Sequence, residues 1–247
     1  MPEPATGDEI ARLATTMNRM LARLESSQAR QRRFVSDAAH ELRSPVASIR
    51  QHAEVALAHP ESTPIGDLAG TVHAENLRVE GLVDDLLLLA RLDEGAREAE
   101  EQVDLDDIVL AEAARLRAAN LLTIDTSGVG AGRVLGRSAE LERVIRNLVD
   151  NAARHAEAVI ALAVIDTGAS IVLTVDDDGP GIPAADRDRV FDRFVRLDDA
   201  RARDGGGSGL GLSIVRAVVE AHGGEVRFAE GADGGARVHA RLPAAPS

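Results

Sequence analysis

The sequence predicts a helical hairpin followed by an α+β sandwich, a mixed α/β arrangement in which helices cover one face of a β-sheet. Two observations predict this division. As far as Leu92, apolar residues recur at helical spacing in two stretches, which one proline-containing turn separates. Beyond that point, short alternating stretches, glycine-rich turns and helical stretches follow one another. With 247 residues, 45% of them hydrophobic, the chain can bury a core in one or two domains.

The first predicted helix carries a coiled-coil seam. Gaps of three and four residues alternate along its apolar positions, which are Ile10, Leu13, Met17, Met20 and Leu24. An inserted four-residue step then shifts the seam before it continues from Val35. Such a stutter predicts that two helical modules meet within residues 25–34. A single helix with a polar patch is the alternative.

A second predicted helix runs back along the first. The turn HPESTP (His59–Pro64) contains two prolines and ends the first helix. Apolar residues then recur from Leu68 to Leu92, and Gly95 supplies a stop signal. Because both seams are open and no other partner is evident, we expect a homodimer in which two hairpins form a four-helix bundle. Burial of both seams by the second half of the same chain is the alternative.

The second half combines helical and strand patterns after an acidic linker at 98–102. Helices are predicted at 108–119, 140–156 and 213–221. Strands are predicted at 159–165, 171–175, 225–228 and 237–242. These strands are joined mostly by short turns, which favours antiparallel pairing and helices on one sheet face.

The residue types that are absent exclude several mechanisms. The chain contains no Lys, Cys, Trp or Tyr. This excludes a phosphate-loop lysine, Schiff-base chemistry, disulfides and thiolate metal sites. The net charge of −13 and the aromatic content of 2% argue against nucleic-acid binding. The longest apolar run, Ala158–Ile165, is too short to span a membrane, and the first residues do not resemble a signal peptide.

His40 is the candidate nucleophile. On a helical wheel it lies about 140° from the apolar stripe of its helix and therefore faces water. A neutral imidazole nitrogen is nucleophilic at physiological pH, and the adjacent Glu41 offers a carboxylate that can take its proton. Ser44 puts a hydroxyl one turn further on the same face. Taken alone, an exposed histidine is more often a solvated side chain.

A polar ridge marks the helix predicted at 140–156. Asn147, Asn151 and Arg154 recur at helical spacing, apart from the apolar face of the same helix. Carboxamide oxygens suit Mg²⁺, and a guanidinium suits phosphate oxygens, so the ridge fits a metal-bound triphosphate. An ordinary polar surface stripe explains the same spacing equally well.

Two glycine motifs flank a polar segment. In VDDDGPGIP, Gly179 and Gly181 let the backbone approach a flat ligand, and Asp177 is placed to accept from an exocyclic amine. A calcium loop is the alternative, but the EF-hand spacing is missing. The run 205–211 opens a helix and could bind an anion there. Between the motifs, residues 184–204 carry only two aromatics, Phe191 and Phe194, and predict a mobile lid held by them.

In order and spacing, these motifs resemble those of the cytoplasmic core of bacterial two-component sensor histidine kinases. HELRSP resembles the H box, Asn147 to Asn151 the N box, DDGPGIP the G1 box, VFDRFVR the F box and GSGLGLSIV the G2 box. GDEIARLATTMNRMLARLE resembles the second helix of a HAMP module. The resemblance covers essentially the whole chain. It implies a HAMP-like helix end at 1–27, a dimerisation and phosphotransfer hairpin at 28–97 and a Bergerat-type ATP-binding domain at 98–247.

The resemblance also implies a role for each motif residue. His40 would take the γ-phosphoryl group of ATP, Glu41 would act as general base, and Ser44 would orient water for dephosphorylation of the partner. Asn151, with Asn147, would hold Mg²⁺. The ATP site would comprise Asn147, Asn151, Arg154, His155, Asp177, Gly179, Gly181, Gly207, Gly209, Leu210 and Gly211.

Partners and location follow from the same resemblance. The expected partners are a second copy of the chain and the receiver domain of a response regulator, with no nucleic acid. The chain is expected to be a fragment that makes no membrane contact itself. It would lie on the cytoplasmic side of a longer protein anchored in the inner or plasma membrane.

Three positions depart from the family pattern. Ser44 stands where Thr or Asn is usual, Arg154 where Lys is common, and Ala236 where a hydroxyl residue is frequent.

Two other functions share parts of the pattern. An ATP-hydrolysing machine of the gyrase or MutL kind needs a carboxylate where this chain has Asn147, and an amide is not a base. A non-catalytic scaffold with a relict pocket is the other alternative.

Overall fold

The computed structural model describes residues 6–61, 64–93, 99–119, 121–197, 208–231 and 234–246. The chain divides into two compact units, Met1–Glu80 and Gly81–Ser247. Within the described ranges, no helix combines the length and apolarity needed to cross a membrane.

The first unit is built from long helices. Helix α1 spans Thr6–Ala58 and contains Pro45, and helix α2 spans Ile65–Asp93 and continues into the second unit. The turn that was predicted to end the first helix lies directly after α1, so this prediction is confirmed. Gly95, the predicted stop of the second helix, lies outside the described residues.

The predicted seam of α1 faces solvent in the single chain. Its side chains are more than half exposed at Leu13, Met17, Met20 and Leu24, with Met20 at 65%. Side chains of this size are seldom exposed in a row on one helix unless another surface covers them. The seam is therefore an apolar surface available to a partner helix.

The second unit alternates strands and helices. Its elements are β1 (Glu101–Asp104), α3 (Leu105–Ala119), β2 (Thr123–Val129), β3 (Arg133–Gly136), α4 (Ser138–His155), β4 (Val159–Asp166), β5 (Ser170–Asp177), a short 3-10 turn (Arg189–Phe191), α5 (Gly211–Ala221), β6 (Glu225–Glu230) and β7 (Ala236–Pro243). Five strands form one sheet in the order β2-β4-β5-β7-β6. Only β2 and β4 are parallel in this sheet, while β1 and β3 form a separate antiparallel ribbon.

The core lies between the sheet and the three helices. Side chains alternate along β5, so that Ile171, Leu173 and Val175 are buried while their neighbours are half-buried. Helices α3, α4 and α5 pack on β2, β5 and β6, respectively. The predicted fold class, a helical hairpin followed by helices on one face of a mostly antiparallel sheet, is confirmed.

A buried carboxylate joins α3 to α4. Glu112 on α3 is 5% exposed and accepts from Arg115 at 2.5 Å and from Arg146 on α4 at 3.0 Å. Arg115 also pairs with Asp150 on α4. A buried carboxylate persists only when such donors satisfy it, so this network fixes α4 and the polar ridge that it carries.

Three strands escaped the sequence analysis. The prediction of an acidic linker at 98–102 is partly wrong, because Glu101 and Gln102 belong to β1. This strand is held by pairing with β3 and by an ion pair between Asp104 and Arg133 at 2.6 Å. Strand β2, with the sequence TIDTSGV, has weak strand propensity and depends on its pairing with β4.

Asp178 stabilises the connection between α4 and β4. Its carboxylate accepts from the backbone amides of Ala158 and Val159 at 3.0 Å and of Glu157 at 2.8 Å. These amide bonds, that of Ala158 foremost, lower the pKa of Asp178 below its usual range. The ionised carboxylate therefore stabilises the fold at neutral pH.

Replacement of Asp178 by Asn is expected to destabilise the second unit in a pH-dependent way. A carboxyl group whose pKa is lower in the folded state contributes stability above its unfolded pKa of about 3.9 and loses it as the pH falls through the folded pKa. The difference in free energy of unfolding between wild type and Asp178→Asn should be constant above about pH 5 and shrink below that. Urea unfolding across this pH range measures it, and a difference that does not depend on pH would contradict the assignment.

Candidate functional site

A buried aspartate forms the floor of the candidate site. Asp177 ends β5 and is 9% exposed. Its Oδ1 accepts from the backbone amides of Gly179 at 3.0 Å and Ala236 at 3.3 Å. Burial raises the pKa of Asp177, while these two amide bonds oppose the rise. Since both bonds end on Oδ1, Oδ2 is the oxygen of this group that a ligand can use.

Glycines bring the backbone close around Asp177. A Cβ at Gly179 would lie 2.3 Å from the carbonyl oxygen of His155, the last residue of α4. A Cβ at Gly181 would lie 2.5 Å from the carbonyl oxygen of Gly234, in the turn between β6 and β7. Gly181 also has φ +69°, which favours glycine. The loop after β5 is therefore held between the end of α4 and the last turn of the sheet.

The predicted polar ridge lies on α4. Asn147 is half-buried, and its Nδ2 donates to the carbonyl oxygen of Gly211 at 3.3 Å. Asn151 is half-buried, whereas Arg154 and His155 are exposed. Because Gly211 begins α5, the ridge meets the second glycine motif at Asn147.

The second glycine motif is anchored at its helical end. Leu210 is fully buried, and its amide donates to the Oγ of Ser208 at 3.3 Å. Gly209 has φ +70°, and a Cβ there would lie 2.9 Å from the Cα of Phe194. The predicted site residue Gly207 lies outside the described residues.

Two phenylalanines fix the first part of the predicted lid. The Phe191 ring is buried, 5.1 Å from the ring of Phe228, and the guanidinium of Arg216 lies 4.5 Å above it. Phe194 has φ +63°, and its amide donates to Gly209 at 2.9 Å. The last part of the predicted lid, 198–204, lies outside the described residues.

The candidate nucleophile lies in the first unit, on α1. His40 and Ser44 are exposed, and Glu41 is half-buried. Pro45, directly after them, is buried inside the helix. The ring of another exposed histidine on α1, His52, is bonded through Nδ1 to the carbonyl oxygen of Ser48 at 2.8 Å. His40 is therefore exposed, as predicted, and Glu41 follows it in the sequence.

The donor set can hold Mg²⁺ only together with a phosphorylated ligand. Among the described residues, no group of three or more His, Asp or Glu lies together at a metal-binding distance. Magnesium prefers oxygen ligands and is often held by one or two protein oxygens plus substrate phosphates. The amide of Asn147 uses its nitrogen for Gly211, so its oxygen and that of Asn151 fit this pattern.

Sequence analysis missed two parts of the site. The amide of Ala236 donates to Asp177, and a Cβ at Gly235 would lie 1.8 Å from the Asp177 carbonyl oxygen. The signal was present as GADGGA, a glycine-rich turn directly before a strand, but Ala236 was noted only for its missing hydroxyl, and the backbone contacts with Asp177 were not predicted. Sequence alone does not indicate which strand such a turn will contact.

Two parts of the chain match known families. Residues 30–95 match the His Kinase A (phospho-acceptor) domain, and residues 136–246 match the histidine kinase-, DNA gyrase B- and HSP90-like ATPase family. A solved structure of the mycobacterial sensor histidine kinase MprB is 30% identical, and the match covers all of that structure and 60% of this chain with a TM-score of 0.53. The chain belongs to the sensor histidine kinase family.

Two further relatives extend the match. The signal transduction histidine-protein kinase/phosphatase MprB of Mycolicibacterium smegmatis is 41% identical over 98% of this histidine kinase chain. The chain spans about half the length of that relative, 52% of it. The structure of Acinetobacter baumannii histidine kinase AdeS is 19% identical with a TM-score of 0.67, and the match covers 84% of this chain and 98% of AdeS, which shows the shared fold.

Replacement of Gly181 should reduce the free energy of unfolding by more than its left-handed backbone conformation alone explains. Gly168, in the turn between β4 and β5, has φ +85° but open space around an added Cβ. Gly168→Ala should therefore cost about 1–2 kcal/mol for its left-handed conformation. Gly181→Ala should cost about 1–3 kcal/mol more, because it also meets the Gly234 carbonyl. Urea unfolding compares the two variants, and equal losses would show that this contact is unimportant.

Proposed function

We propose that this histidine kinase transfers the γ-phosphoryl group of ATP to His40 and then to an aspartate in the receiver domain of a response regulator. One observation carries the proposal. A buried, backbone-oriented carboxylate, Asp177, lies in a glycine-walled site of one unit, and an exposed His40, followed by the half-buried Glu41, lies on a helix of the other. The first arrangement suits binding of an adenine nucleotide, and the second suits attack on phosphorus.

The nucleotide site follows from the direction of the Asp177 carboxylate. With Oδ1 held by two amides, Oδ2 can accept from the exocyclic amine of adenine. That bond also compensates the burial of the carboxylate. Asn147 and Asn151 on α4 offer oxygens to Mg²⁺ on the triphosphate, and the exposed Arg154 continues the ridge toward phosphate. Bound Mg²⁺ would neutralise part of the phosphate charge.

The chemical step at His40 is a substitution at phosphorus. One ring nitrogen of neutral His40 forms a bond to the γ-phosphorus of ATP, while the bond from that phosphorus to the bridging oxygen breaks and ADP leaves. The proton on the other ring nitrogen passes to the Glu41 carboxylate, which keeps the phosphorylated ring neutral. Exposure of His40 suits this role, because first a nucleotide and later a regulator must reach it.

The second step passes the phosphoryl group to a partner. A receiver-domain carboxylate attacks the phosphorus, the P–N bond breaks, and the imidazole takes a proton back. Ser44 lies one helical turn beyond His40 and is exposed, so its hydroxyl can orient a water molecule that hydrolyses the regulator's acyl phosphate. The printed name of the MprB relatives, kinase/phosphatase, supports the inclusion of this reverse activity.

The exposed seam of α1 supports a homodimer. A second copy presents the same row of apolar side chains, so two seams can cover each other in a four-helix bundle. We retain the division into a HAMP-like helix end at 1–27, a phosphotransfer hairpin at 28–97 and an ATP-binding domain at 98–247. In this proposal the chain acts as the catalytic part of a longer, membrane-anchored sensor, facing the cytoplasm.

A gyrase-type ATP hydrolase is disfavoured by the site itself. Such an enzyme needs a carboxylate to activate water near the γ-phosphate. Asn147 occupies that position here, and its amide nitrogen is engaged with Gly211. The chain therefore has an acceptor histidine in place of a hydrolytic base.

Replacement of His40 by Gln tests the proposed acceptor, and His52→Gln on the same helix is the matched control. With radiolabelled ATP, the wild type and His52→Gln should gain a label that is stable to base and lost in acid, as a phosphoramidate is. His40→Gln should gain none, because Gln has no nucleophilic nitrogen. Binding of ATP by calorimetry should be the same in all three proteins. A persistent acid-labile label on His40→Gln would overturn the assignment.

A further inference from the structure

The five-stranded sheet has an outer face, opposite the face that its helices cover. Along β5, β6 and β7, buried residues alternate with residues that point to this outer face. There, Thr174 of β5 and Arg227 of β6 stand opposite His239 of β7, one on each side. Arg237 and Arg241 lie two residues before and after His239 and therefore share its face. The basic cluster, as named here, consists of Arg227, Arg237, His239 and Arg241.

The basic cluster is unusual in a chain with a net charge of −13. One of its arginines is compensated, because Nε of Arg237 donates to both carboxylate oxygens of Asp176, at 2.8 and 2.7 Å. In the part of the chain that the structure describes, Arg227 and Arg241 make no ion pair, although Glu225 stands opposite Arg241. Two guanidinium groups on one face are therefore available to an anion.

His239 lies among like charges. Burial lowers the pKa of His239, Arg227 and Arg237 lower it further, and Asp176 opposes them. Like charges that stand directly opposite each other destabilise a pair of strands, so a protonated His239 is unfavourable beside Arg227. An anion bound between the two side chains would remove this repulsion.

The ring of His239 has one nitrogen left for a ligand. Nδ1 lies 3.2 Å from Oγ1 of Thr174. Where the Thr174 hydroxyl donates to Nδ1, the ring hydrogen is on Nε2. Among the described residues, none forms a hydrogen bond with Nε2. Nε2 can therefore donate to an anion even when the ring is neutral.

These donors line a shallow pocket. Its lining residues are Val172, Glu225, Arg227, His239 and Arg241. Guanidinium groups bind phosphate oxygens in pairs through their planar fork. With two arginines and one glutamate, the lining is positive at neutral pH, and protonation of His239 adds to this charge. The pocket therefore suits an anion with several oxygens and more than one negative charge.

We propose that this pocket binds the phosphate group of a small soluble molecule through Arg227, Arg241 and Nε2 of His239. The site differs from the nucleotide site, because Asp177 points to the helix-covered face of the sheet and Thr174 to the outer face. A soluble ligand is favoured over an anionic lipid surface. A chain with a net charge of −13 is repelled by an extended negative surface, whereas a small anion responds to the arginines nearest to it.

An NMR titration with sulfate tests the site. Sulfate has the shape of phosphate and keeps its double charge over the pH range in which histidine titrates. The signals of the His239 ring, identified by their loss in His239→Gln, should shift with sulfate and reach saturation. Chloride at the same ionic strength should not produce this shift. Since a hydrogen bond from a charged donor is stronger, sulfate should bind about three- to tenfold more tightly when His239 is protonated.

Arginine variants connect the signal to the pocket. Arg227→Gln and Arg241→Gln should each weaken sulfate binding about three- to tenfold, because each removes one charged donor. Arg50→Gln is the matched control. It removes the same charge from α1, where the Arg50 side chain is 76% exposed, and should leave sulfate binding unchanged. Urea unfolding of each variant verifies that the fold is retained.

The outcomes decide the proposal without nucleotide. If chloride and sulfate shift the His239 signals equally, the effect is ionic screening and the site is wrong. If Arg227→Gln and Arg241→Gln bind sulfate as Arg50→Gln does, the site is also wrong. Because neither ATP nor His40 enters the measurement, a failure of the proposed phosphoryl transfer leaves this result unaffected.

Discussion

The carboxylate of Asp177 is the group on which the rest of the ATP-binding unit depends. A charge that is 9% exposed is unfavourable unless donors reach it, and here the donors are backbone amides from two different loops. Bringing those loops close enough requires glycine where a Cβ would strike a carbonyl oxygen, as at Gly179 and Gly235. Because β7 lies beside β5 in the sheet, the loop that precedes β7 lies next to Asp177.

The chemistry is divided between two units with opposite requirements. In the proposed function, the buried Asp177 carboxylate would bind the nucleotide and needs rigid donors, whereas His40 would be the acceptor and is exposed. The chain has no Lys, and in the proposed site the phosphates would meet backbone, asparagine and Arg154 in place of a phosphate-loop lysine.

Local patterns allowed much of this structure to be predicted. Heptad spacing predicted α1, and alternation predicted β4 and β5. The glycines after β5 were predicted to let the backbone approach a ligand, and the structure shows that Gly179 and Gly181 lie close to backbone carbonyl oxygens. What escaped prediction depends on pairing between distant parts of the chain. The amide of Ala236 lies 59 residues from Asp177, and Arg143 lies 58 residues from its partner Asp85. Strands such as β1 carry charges that become favourable only beside the oppositely charged strand that they pair with.

The most direct test of this account compares the binding of ATP with that of purine riboside triphosphate, which lacks only the exocyclic amine. If Asp177 recognises that amine, the charge-assisted hydrogen bond makes ATP bind about 10- to 100-fold more tightly to the wild type. In Asp177→Asn, this preference should largely disappear. Equal affinity of the wild type for both nucleotides, measured by calorimetry with Mg²⁺, would contradict the assignment of the buried carboxylate as the adenine-binding group.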